Sequence, residues 1–144
     1  MSFAPGGLAA FEILIVDDHA QMRALLLRVL QAAGARAPRI AVNGRDALAQ
    51  LRVRGADLVL LDHNMPGMTG LELTARLRAD PTLRARIILL SGAEGAAHEA
   101  AAHAAGVDAV LVKPVRARAL LDAIARVMAA PFRTPRTGPA SAKL

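Results

Sequence analysis

The chain has no cysteine, no tryptophan and no tyrosine, and only three phenylalanines among its 144 residues. Without cysteine there are no disulfides, no thiolate metal sites and no cysteine nucleophile. With so few rings, stacking on nucleic-acid bases is nearly excluded as a binding mode. No run of about 18 uncharged apolar residues occurs, so no membrane insertion is expected. The 54% hydrophobic content comes largely from alanine. The first ten residues, MSFAPGGLAA, lack the basic start of a secretory leader, and the expected location is the cytoplasm. Lysine is scarce too: of the 18 basic residues only Lys113 and Lys143 are not arginine. The net charge is +6, of which the last fourteen residues supply +3. The remaining arginines are spread over several segments. A nucleic-acid footprint would cluster them, so solvated helix faces are the expected reading and nucleic acid is not an expected partner.

What is present is alternation. Short apolar runs stand at Glu12–Val16, Arg39–Val42, Asp57–Leu61, Arg86–Leu90 and Asp108–Val112. Helical patterns separate them. Met22, Leu25, Leu26, Val29 and Leu30 form the i, i+3, i+4, i+7, i+8 stripe of an amphipathic helix, with Gly34 as its expected end. Further helices are predicted after Asn43-Gly44, over Gly70–Ala79, over Glu94–Ala105 and over Arg116–Ala130. Strands apolar at consecutive positions are expected to be buried on both faces. Five of them alternating with five helices predict an α/β fold, a doubly wound parallel sheet with right-handed crossovers. The length suits one domain. Residues 1–11 are expected to be a flexible segment, and residues 131–144, with three prolines and no apolar period, a disordered basic tail.

In such a sheet, ligands bind beyond the carboxyl ends of the strands. There stand Asp17 and Asp18 after the first run, Asp62 after the third, Ser91 after the fourth and Lys113 after the fifth. Crowded carboxylates repel and raise each other's pKa. A divalent cation relieves that repulsion, and an all-oxygen site suits Mg²⁺. One carboxylate can then attack a phosphoryl group whose oxygens are held by an ammonium and a hydroxyl. A single such residue would ordinarily be a cap or a loop residue. Four strand ends carrying compatible groups are not explained by capping.

The segments LIVDDHAQMRALL, AVNGRDAL, LVLLDHNMPGMTGLEL, ILLSG and AAGVDAVLVKP together resemble the receiver domain of two-component response regulators over Glu12–Ala130. Asn64-Met65-Pro66 and Glu72 look like the single-domain chemotaxis regulators of that family. The resemblance implies a flavodoxin-like fold with strand order 2-1-3-4-5. It implies that Asp62 is the phosphoacceptor, served by a histidine kinase or a histidine phosphotransfer protein. It implies Mg²⁺ on Asp18, Asp62 and the Asn64 carbonyl, with Asp17 reaching the ion through water. Ser91 becomes the switch hydroxyl and Lys113 the phosphate-binding lysine, with a cis Lys113–Pro114 bond. The chain departs from the pattern at Val110 and Val115, where the family usually carries aromatic residues, and at Ser91, where threonine is common.

On this reading the chain is a self-phosphorylating phosphoacceptor rather than a turnover enzyme. Its output is expected through contact with a protein that the sequence does not name, since the residues after the last helix are too few for an output domain. An aspartate-nucleophile phosphatase would carry a D-x-D pair after the first strand, and Val16-Asp17-Asp18-His19 lacks it. No Gly-rich phosphate loop is present. The alternative is a receiver-like adaptor that binds a cyclic dinucleotide through Arg133 and Arg136 of the tail. His19 and His63 are placed on the rim of the site. His98 and His103 are expected to face solvent.

Overall fold

The apolar runs form strands, and their alternate residues supply two different helix layers. The computed structural model describes residues 7–92 and 95–132. The elements are β1 (Ile13–Val16), α1 (Ala20–Ala32), β2 (Arg39–Ala41), α2 (Gly44–Val53), β3 (Leu58–Asp62), α3 (Gly70–Ala79), β4 (Arg86–Ser91), α4 (Ala96–Ala105), β5 (Ala109–Val112) and α5 (Ala117–Ala129). All five strands are parallel, in the order β2-β1-β3-β4-β5. Leu14, Val16, Val59, Leu61, Ile87 and Leu89 pack with Leu48 and Leu51 of α2, Leu73 and Leu77 of α3 and Ala102 of α4. Their neighbours Ile13, Ile15, Leu58, Leu60, Ile88 and Leu90 pack on the other face with Leu26 and Leu30 of α1 and Leu120, Ile124 and Val127 of α5. The period of two in the strands thus builds both cores at once. Among the described residues, no helix is long and apolar enough to cross a membrane.

Local chemistry fixes where the helices begin. Asn43 accepts from the Asp46 N–H at 2.8 Å and caps α2. Thr69 and Glu72 form a reciprocal capping box that starts α3 directly after the loop that follows Asp62. Gly70 makes that start possible. A Cβ there would lie 2.7 Å from the Leu89 side chain and 2.8 Å from the Asp62 carbonyl oxygen. The Lys113–Pro114 bond is cis.

Three expectations need correction. The N-terminal segment is not wholly flexible: Gly7–Ala10 is a 3₁₀ turn and Leu8 is fully buried in the α1/α5 core. Composition concealed this, because one leucine suffices to fix a turn when a cavity receives it. At the other end, Phe132 lies against the body. The guanidiniums of Arg84, Arg78 and Arg86 stand 4.3, 5.6 and 5.9 Å from its ring centre. The rest of the expected tail, including Arg133 and Arg136, lies outside the described residues, as does Glu94, the expected first residue of α4. Finally, His98 does not simply face solvent. Its ring tilts against His63 with centroids 5.2 Å apart, and its Nε2 is buried. His103 is exposed, with Nδ1 3.1 Å from the Val107 carbonyl oxygen.

Candidate functional site

Parallel strands bring their carboxyl ends to one edge, and the predicted groups meet there. Asp17 follows β1 and is 1% exposed; Asp62 ends β3 and is also 1% exposed. Asp18 is half-buried beside them. One oxygen from each of these carboxylates and one ring nitrogen of His19 all lie within 4.8 Å of one another. Lys113, the residue after β5, reaches across β4 to place Nζ 2.6 Å from Asp62 Oδ1. Ser91 is buried at the end of β4, one residue beyond Leu90, the register partner of Asp62. The Lys113 N–H donates to the Ser91 carbonyl at 2.8 Å and ties β5 to that point. Asn64 is exposed in the loop after β3, on the side of Gly92.

Asp17 is locked from below. Its Oδ1 accepts the His19 N–H at 2.8 Å, and its backbone carbonyl accepts from Arg23 Nη1 at 2.9 Å. Burial nevertheless pushes its carboxyl above the ordinary range, and the Asp62 charge adds to that push. Asp17 Oδ2, Asp18 Oδ1 and Asp62 Oδ2 are buried without a hydrogen-bond partner. Buried carboxylate oxygens are costly when left unpaired. With one oxygen from each of the three carboxylates in a common group, the residues present fit a hard divalent cation.

The predicted Asp17, Asp18, Asp62, Ser91 and Lys113 therefore gather at one sheet edge, with Asn64 on its rim. Sequence reasoning missed the contact between His63 and His98. His63 follows Asp62 directly, and burial, with the charge of His98 second, holds its imidazole below the ordinary value. The only advance signal was the position of His98 in the first turn of α4.

This geometry is accompanied by a matching pedigree. The model of the response regulator receiver domain family matches residues 13–125. The chain belongs to that family. It is 36% identical over 117 residues to the chemotaxis protein CheY of Pseudomonas aeruginosa, covering 81% of this chain and 94% of the relative. The structure of chemotaxis protein CheY4 of Vibrio cholerae superposes with a TM-score of 0.75 at 32% identity, covering 81% of this chain and 97% of the other. The receiver domain of a signal transduction histidine kinase from Syntrophus aciditrophicus gives 0.76 at 30% identity, covering 86% and 94%. The strand order 2-1-3-4-5 is that of this family's flavodoxin-like fold.

Proposed function

We propose that this receiver domain accepts a phosphoryl group on Asp62 from a phosphohistidine donor, a histidine kinase or a histidine phosphotransfer protein, and signals through phosphorylation-dependent contact with another protein. One observation carries the reading: Lys113 holds one oxygen of Asp62 at 2.6 Å, the other oxygen is buried without a hydrogen-bond partner, and Asp62 belongs to the carboxylate cluster. The Lys113 ammonium orients the carboxylate for attack. A P–O bond to one Asp62 oxygen forms as the P–N bond to the donor imidazole breaks. Lys113 and the Ser91 hydroxyl then offer donors to the phosphoryl oxygens.

Asp18, Asp62 and the Asn64 carbonyl would hold Mg²⁺, with Asp17 reaching it through water. Bound there, the ion supplies positive charge against the crowded carboxylates and the incoming phosphoryl oxygens. The group stays on the chain's own carboxylate, so the protein acts as a switch rather than a turnover catalyst. Because the similar proteins include chemotaxis proteins, a motility signal is the process to examine first.

The test is labelling by a small acyl phosphate, followed by intact mass. A single phosphoryl adduct is expected with Mg²⁺ and none with EDTA. Asp62→Asn should remain unlabelled, and an adduct persisting in that variant overturns the assignment.

A further inference from the structure

His19 belongs to the acidic cluster rather than to its rim. It is the residue before α1, and its backbone is fixed twice: its N–H donates to Asp17 Oδ1 at 2.8 Å, and its carbonyl accepts the Arg23 N–H at 3.1 Å. The ring is thereby turned so that Nδ1 lies 3.2 Å from Asp17 Oδ1 and 3.1 Å from Asp18 Oδ1. The first approach has hydrogen-bond geometry; the second does not, and Asp18 Oδ1 has no hydrogen-bond partner. Adjacent ligands about 2.1 Å from a shared octahedral cation sit roughly 3.0 Å apart. The spacing of His19 Nδ1 from Asp18 Oδ1 therefore matches one edge of a coordination polyhedron, while the approach to Asp17 Oδ1 is a hydrogen bond. Independently, Asp17 and Asp62, each 1% exposed, keep Oδ2 unpartnered in the same cluster.

We propose that His19 supplies an imidazole ligand to the cation held by Asp17, Asp18 and Asp62, and that this makes the site prefer borderline transition ions such as Mn²⁺, Co²⁺ and Zn²⁺ over Mg²⁺. The inference rests on the cation site of the phosphoacceptor reading and adds to it a nitrogen donor. Hard Mg²⁺ takes oxygen ligands and gains little from an imidazole, whereas first-row transition ions gain in the order from Mn²⁺ to Cu²⁺. The ring is 65% exposed, so it can swing onto an entering ion without disturbing the core.

The experiment uses the full chain, stripped of metal, in three forms: wild type, His19→Gln and His98→Gln. Calorimetric titrations with Mg²⁺ and with Co²⁺ give affinities, and pulsed electron paramagnetic resonance of the Mn²⁺-loaded protein reports nitrogen coordination. We expect one imidazole nitrogen coupled to Mn²⁺ in wild type and in His98→Gln, and none in His19→Gln. Co²⁺ affinity should fall by about tenfold or more in His19→Gln, with Mg²⁺ affinity changed less than about threefold. The unchanged Mg²⁺ affinity also shows that the variant is folded. Absence of a nitrogen coupling in wild type, equal loss of both ions in His19→Gln, or loss of the coupling in His98→Gln alone overturns the proposal while leaving the phosphoacceptor reading intact. Failure of the wild type to bind any of these ions overturns both.

Discussion

Asp17 shows how the candidate site costs stability. Its carboxyl is buried, one oxygen is unpartnered, and burial raises its pKa. A carboxyl raised in the fold stabilises the protein below its unfolded value, near 3.8, and loses that contribution as pH rises through the folded value. At neutral pH the metal-free fold therefore bears the cost of ionising it. Asp17→Asn keeps the acceptor oxygen for the His19 N–H and removes the charge. In EDTA at pH 7 this variant should be more stable by about 1–3 kcal/mol, the usual cost of an unsatisfied buried polar group. Mg²⁺ should then raise the melting temperature of wild type more than that of the variant. Melting curves with and without the ion check this, and equal or lower stability of the variant in EDTA contradicts it. His63 has the opposite sign. Its pKa is lowered, so its contribution is full above about 6.5, the unperturbed value, and is lost as pH falls toward the folded value. His63→Gln should flatten the fall in melting temperature between pH 7.5 and 5.5; a slope as steep as wild type would exclude the effect.

Among the α-helices, α4 is the loosest in its attachment: only Ala102 is buried. Weakly packed elements are the ones that move at low cost. Lys113 already bonds Asp62 before any transfer, so phosphorylation redirects that bond instead of creating it. A charge-assisted bond from Ser91 to the phosphoryl group is worth about 1.5–3 kcal/mol at most. That falls short of the roughly 5.5 kcal/mol needed for a near-complete shift between two states. The expected response is a partial population shift. Val110 has a stiff β-branched side chain with no ring to rotate, so the movement should fall on α4. Methyl spectra of free and beryllofluoride-loaded protein should show larger shifts for the alanines of α4 than for Val110, averaged between two states. A dominant Val110 shift contradicts this. The strands and most helices were legible because each follows from local periodicity. Their ends moved by a residue or two where side chains intervene: Asp57 Oδ2 accepts the Glu12 N–H at 2.7 Å, and β3 begins only at Leu58. The site was legible because topology alone brings strand ends together. The His63–His98 contact was not, since it depends on how α4 settles on the loop after β3.

At the scale of the whole molecule, both ends of the folded chain sit away from the chemistry. The strands all run toward Asp17, Asp62, Ser91 and Lys113. Leu8 lies in the turn before β1, and Phe132 follows α5, which returns against the strand direction. Both therefore anchor at the opposite edge of the sheet. There Arg86 Nη2 donates to the Ala130 carbonyl at 2.6 Å, and Arg78 pairs with Asp108 at 2.9 Å. Three guanidiniums gathered around the Phe132 ring repel one another, and the ring face and Asp108 offset that repulsion. Neither anchor was visible from composition, because each is a single apolar residue in a Gly- or Pro-containing segment. Leu8→Ala should cost about 2–5 kcal/mol, the range for a fully buried leucine. Phe132→Ala should cost about 1–2 kcal/mol through lost cation–π attraction and apolar contact, with Phe132→Leu recovering part of it. Since the two ends lie across the sheet from Asp62, both changes should lower the denaturation midpoint while the initial rate of labelling by an acyl phosphate at 25 °C stays within about twofold of wild type. Labelling that falls in step with stability, in samples shown by circular dichroism to be folded, would mean that the two edges of the sheet are coupled.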